Sequence, residues 1–107
     1  MDIKRIKFER TGGFAGIRLA ADFELDDLPD EQAHTLAELL DDMDFNKLPK
    51  RLGDSTSMAD GFTYEITVET KKWEHTVTIS EESSIPDKVE SLLELLNRIG
   101  REQARKR

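Results

Sequence analysis

The sequence predicts an α+β fold: a four-stranded antiparallel sheet with two helices packed on one face, in the order ββαββα. Three observations lead there. Apolar residues alternate with polar ones in two regions, and two other stretches space them three and four apart. Each alternating region is followed by a helical stretch, so two ββα units can share one apolar layer.

The elements follow in order. Residues 1–26 are expected to hold the first strand pair. Ile6 and Phe8 mark a short strand, and Ile17, Leu19, Ala21, Phe23 and Leu25 alternate with Arg18, Ala20, Asp22, Glu24 and Asp26. That is a half-buried strand with one wet face. A helix is predicted over 28–44, where Ala33, Leu36, Leu39, Leu40 and Met43 form one stripe. Its start reads Asp27-Leu28-Pro29-Asp30: a capping oxygen, a proline in the first turn, and an acid three positions on. Residues 49–61 read as an irregular connection. The second strand pair, 62–80, alternates Phe62, Tyr64, Ile66 and Val68, then Trp73, His75, Val77 and Ile79. With Lys71-Lys72 as a two-residue turn, Thr70 faces Trp73 and both apolar rows share a side. The last helix, 85–100, carries Val89, Leu92, Leu93, Leu96 and Ile99 behind a similar start, Ser84-Ile85-Pro86-Asp87. Residues 101–107 form a basic tail, read as a fraying helix end. The 107 residues leave room for one domain with one core.

Composition narrows the chemistry. There is no cysteine, hence no disulfide framework, thiol nucleophile or thiolate metal site. The N-terminal stretch has no signal-peptide core and no apolar run reaches membrane-spanning length, so a cytoplasmic monomer away from membranes is expected. A net charge of −7 disfavours nucleic acid as a partner. Charge is uneven: from Asp22 to Asp44 there are ten carboxylates and no Lys or Arg. Such a run is a solvated face in the first instance, and a steering surface for a basic partner in the second. Within that region Asp41, Asp42 and Asp44 are weaker partner-binding candidates.

Metal and cofactor signals are poor. His34 and His75 have no partner at ligand spacing, and His75 lies on the inward parity of a strand. Asp42, Asp44 and Asn46 mimic the opening of a calcium loop, but Lys47 stands at its required glycine and Gly53 at its closing glutamate. No serine sits on a nucleophile elbow. No cofactor and no enzymatic reaction are expected.

The unusual stretch is Glu9 to Leu19, "ERTGGFAGIRL". Its glycines, at 12, 13 and 16, match neither dinucleotide-binding nor P-loop spacing. The stretch also leads into a strand, so no helix N-terminus receives an anion. Glycine here permits positive φ and close backbone approach. Phe14 then has two readings: it folds back over the open end of the core, or it anchors a partner's apolar pocket. In the second reading the partner-binding set is Arg10, Thr11, Gly12, Gly13, Phe14, Ala15 and Gly16, with Asp60 as a weaker candidate.

"FERTGGFAGIRL" resembles the N-terminal signature of the emfourin family, small cytoplasmic bacterial inhibitors of thermolysin-like (protealysin-like) zinc metalloproteases. Phe45-Asn46-Lys47-Leu48-Pro49, Asp60-Gly61-Phe62-Thr63-Tyr64, His75-Thr76-Val77 and Ser80-Glu81 extend the likeness over most of the chain. Residues 51–59 and the tail after Gly100 lie outside it. The resemblance implies a protein–protein complex with a thermolysin-like metalloprotease, whose zinc belongs to the protease. Thermolysin-like enzymes favour a large apolar side chain just after the scissile bond, and Gly13-Phe14 offers such a bond. The acidic region docking at an exosite is the other route. A non-enzymatic regulatory or adaptor domain that binds some different protein is the alternative function.

Overall fold

The computed structural model describes residues 3–12, 18–52, 62–80 and 87–105. Strand β1 (Ile3–Gly12) pairs antiparallel with β2 (Leu19–Glu24) on one side and with β4 (Phe62–Thr70) on the other. Helix α1 (Asp30–Asp42) follows β2, and a two-residue strand β3 (Arg51–Leu52) comes next. β4 turns into β5 (Glu74–Ser80), and helix α2 (Asp87–Arg105) ends the described chain. The sheet order is β2-β1-β4-β5-β3.

The α+β class, both helices and the four long strands are therefore present, but the sheet is five-stranded and mixed rather than four-stranded and antiparallel. The difference lies at Arg51 and Leu52, which were expected in an irregular connection. They run parallel to β5, opposite Thr78 and Ile79. Thr78 N–H donates to the Lys50 carbonyl at 2.8 Å, and the His75 ring donates through Nε2 to the Leu48 carbonyl at 2.7 Å. The strand pairing and the Thr78 bond cover an edge of β5 that would otherwise expose unpaired backbone groups, and the His75 ring ties the incoming chain to the sheet.

Alternation sets the register. Ile6 lies opposite Phe23 and Val68, Phe8 opposite Ala21 and Ile66, and Tyr64 and Ile66 opposite Ile79 and Val77. All of these residues are buried, as are Leu36 and Leu40 of α1 and Val89, Leu92, Leu93, Leu96 and Ile99 of α2. They form one core cluster on one face of the sheet, with both helices contributing to it. The opposite face carries Lys7, Glu9, Asp22, Glu65 and the Thr67–Thr76 hydroxyl pair, 2.8 Å apart.

Two local details follow from side-chain oxygen chemistry. The β4–β5 turn needs no Gly or Asn because Thr70 Oγ1 accepts from the Lys72 and Trp73 amides at 3.2 and 3.0 Å. A hydroxyl closing its own turn supplies the local bond that Asn or Asp would give. At α1, Asp27 does not cap the helix. It accepts from the Glu24 amide at 3.0 Å and closes a short 3-10 turn, Leu25–Asp27. Helix α1 starts after Pro29, with no side-chain cap. Proline has no amide to satisfy, which makes it tolerable at a helix entry. The matching start proposed at Ser84–Asp87 falls mostly in 81–86, outside the described residues. α2 continues through Arg101 to Arg105, into the stretch read as tail.

Candidate functional site

The glycine-rich segment is framed on both sides by paired strands. On entry, Arg10 lies opposite Tyr64, Thr11 opposite Thr63 and Gly12 opposite Phe62. On exit, Leu19 lies opposite Arg10. Gly13, Phe14, Ala15 and Gly16 lie outside the described residues, as does Asp60. Of the proposed partner-binding set the structure therefore describes Arg10, Thr11 and the backbone of Gly12, all at the end of β1.

These residues do not point the same way. Arg10 continues the inward row of Ile6 and Phe8 and is half-buried, its Nη1 donating to Asn97 Oδ1 of α2 at 3.2 Å. Thr11 has the opposite parity. Beside it on the outer face, Glu9 accepts from Arg18 at 2.7 Å, an exposed ion pair between the two strands. Such pairs contribute about 0–1 kcal/mol, so this one fixes direction more than stability.

Strand direction places other connections at the same end. Gly12 ends β1 there, Leu19 begins β2, Phe62 begins β4, and Ser80 lies opposite Thr63. Leu52, parallel to Ile79, also points to this end. Gly12, Leu19, Leu52, Phe62 and Ser80, which border the stretches 13–17, 53–61 and 81–86 or lie next to their borders, thus share one edge of the sheet. Asp41, Asp42 and Asp44 are exposed elsewhere. Phe45, next to Asp44, packs edge-on against His75 with centroids 5.8 Å apart, and His75 lies opposite Val68 near the hairpin. Asp44 also shapes the backbone. It follows the end of α1 in the left-handed region at φ 49°, a conformation aspartate tolerates better than most residues.

One exposed ion pair carries a clear electrostatic perturbation. Arg5 Nε and Nη2 hold the two Asp22 oxygens at 2.6 and 2.8 Å. This fork keeps the Asp22 carboxyl below its ordinary range, and the same bond raises Arg5. Asp22 also borders a depression of about 320 Å³ on the outer face, with Lys7, Glu9, Arg18, Glu65 and Thr67. Its lining mixes charges of both signs. No group of three or more acidic or histidine side chains able to hold a metal occurs among the described residues. His75 is instead occupied by the Leu48 carbonyl.

Asn97 and Gly100, which contact the two flanks of the segment, are not among the residues singled out from sequence, and they carry no local signal beyond their helical positions. Their link to Arg10 and Leu19 exists only once α2 lies across the sheet.

Comparison with known proteins agrees with the signature in the sequence. No curated protein sequence matches the chain. A solved structure, "Emfourin (M4in) from Serratia proteamaculans, M4 family peptidase inhibitor", is similar at 23% identity with a TM-score of 0.42, covering 81% of this chain and 83% of that one. The Emfourin family model matches residues 8–97. That match spans the glycine-rich segment, the second half of β1, all of β2 to β5 and α1, and the first part of α2, and on it the chain belongs to the Emfourin family.

Proposed function

We propose that this protein inhibits a thermolysin-like zinc metalloprotease by forming a protein–protein complex. The observation that carries the reading is the family match over residues 8–97, which includes the whole segment from Arg10 to Leu19. The proposed inhibitory element is Gly12–Gly16, with Phe14 filling the pocket that accepts the residue after the scissile bond and the backbone lying in the substrate groove. Pairing starts at Gly12 on one side and Leu19 on the other. Such short tethers lower the ordering cost of binding. In the proposed complex, tethering disfavours attack on the Gly13–Phe14 bond, so the segment occupies the groove without being turned over. Asp60 stands two residues before Phe62 in the sequence and is assigned to the contact surface as part of this reading.

Burial of one phenyl ring contributes about 1.5–3 kcal/mol, so Phe14→Ala weakens inhibition roughly ten- to a hundredfold. The test is titration of a thermolysin-like and a protealysin-like enzyme with wild type and variant, alongside thermal unfolding. A folded Phe14→Ala chain of wild-type potency refutes the anchor.

A further inference from the structure

Both roots of the glycine-rich segment touch one turn of α2. On the β1 side, Arg10 Nη1 donates to Asn97 Oδ1 at 3.2 Å, and Asn97 Nδ2 lies 3.4 Å from the Tyr64 hydroxyl. Tyr64 is the β4 partner of Arg10, and its ring stacks on Phe8 at 6.0 Å. On the β2 side, buried Gly100 lies against Leu19. A Cβ placed on Gly100 would sit 3.2 Å from Leu19 Cγ and 3.3 Å from Cδ2, tighter than ordinary contact. Asn97 and Gly100 are three residues apart and therefore neighbours on one helix face. Arg10 and Leu19 are themselves cross-strand partners, the last pair formed before the segment departs.

The residue choices are specific to holding position. The buried stripe of α2 is aliphatic, Val89 through Leu96 to Ile99. Beside it, half-buried Asn97 presents an amide that bonds both a guanidinium and a phenol, which fixes direction as an aliphatic contact does not. At Gly100 the side chain is absent, and the helix backbone approaches the first residue of β2.

We propose that Asn97 and Gly100 are positioning residues for inhibition: they touch no protease and set the potency of the segment through the placement of Arg10 and Leu19. This role rests on the proposed inhibitory function. Two single variants test it, Asn97→Leu, which removes both bonds while keeping bulk, and Gly100→Ala, which pushes on Leu19. The readouts are the inhibition constant against a thermolysin-like protease, the thermal midpoint, and backbone amide shifts across residues 12–19.

Each variant is expected to lose roughly tenfold in potency, the size of effect that follows when ordering costs return to a pre-organised segment. Amide shifts at 12–19 should move while those of the 70–73 turn stay in place. Gly100→Ala is diagnostic because alanine favours a helix over glycine. A purely structural role predicts that potency follows the midpoint, whereas a positioning role predicts lost potency even where the midpoint holds. The compensating pair Gly100→Ala with Leu19→Val, which gives back the volume added, should restore potency.

Unchanged potency in both single variants, with Phe14→Ala impaired, overturns the positioning role and leaves the proposed function standing. Impaired positioning variants with a fully potent Phe14→Ala chain overturn the Phe14 anchor alone. A wild-type chain that leaves the protease fully active overturns both.

Discussion

Truncating Leu96 to alanine tests whether α2 is locked onto the sheet, on which the contacts of Asn97 and Gly100 with Arg10 and Leu19 depend. Leu96 is 0% exposed, in the stripe that meets the sheet. Removing its buried carbons loses transfer free energy and leaves a cavity, together about 2–5 kcal/mol for a buried leucine. Helix propensity runs the other way, since alanine is the better helix former by a few tenths of a kcal/mol, so packing decides the sign. For a domain of this size the loss lowers the thermal midpoint by roughly 10–25 °C. Glu94, two residues earlier and exposed, is the internal control: Glu94→Ala should change stability by no more than about 0.5 kcal/mol. Thermal and urea unfolding by circular dichroism read both variants, and a shifted urea midpoint at constant slope identifies a true stability change. Equal midpoints for Leu96→Ala and Glu94→Ala would refute the packing of α2 described above.

Three further outcomes follow from individual contacts. Thr70→Val, which keeps the β-branched shape but deletes the oxygen that closes the β4–β5 turn, should cost about 1–2 kcal/mol in urea unfolding. The Asp22–Arg5 fork makes part of the stability acid-sensitive. Because Asp22 is held below its ordinary value, its contribution is complete above the ordinary aspartate range and is lost as pH falls through the lowered value. The stability gap between wild type and Asp22→Asn should therefore close on acidification, and it should narrow with salt because both side chains are about half exposed. Reversing charge at Asp41, Asp42 and Asp44 together should slow association with the protease in a salt-dependent way and leave dissociation nearly unchanged. A large rise in the dissociation rate would instead place the acidic region inside the interface.

Much of the scaffold was legible because its apolar residues repeat at the periods of the elements they build. The Val89–Ile99 stripe and the rows Tyr64–Val68 and Val77–Ile79 needed no tertiary knowledge. What escaped was held by partners distant in sequence. Arg51 and Leu52 have no periodicity to read in two residues, and their strand exists through Thr78 and the bond from His75 to Leu48. Asp27 met every local rule for a helix cap, yet it serves the preceding turn, because its carboxylate accepts from the amide of Glu24 at the end of β2. The candidate site divides in the same way. The glycines and Phe14 announce themselves in sequence. The inward direction of Arg10 was implicit in the parity of Ile6 and Phe8, but its partner Asn97 lies 87 residues away.

The most direct test of the central claim is titration of a purified thermolysin-like metalloprotease with the intact protein, reading cleavage of a peptide substrate. Stoichiometric loss of activity, weakened roughly ten- to a hundredfold by Phe14→Ala, is the predicted result. Full turnover in large molar excess of the folded chain would contradict it.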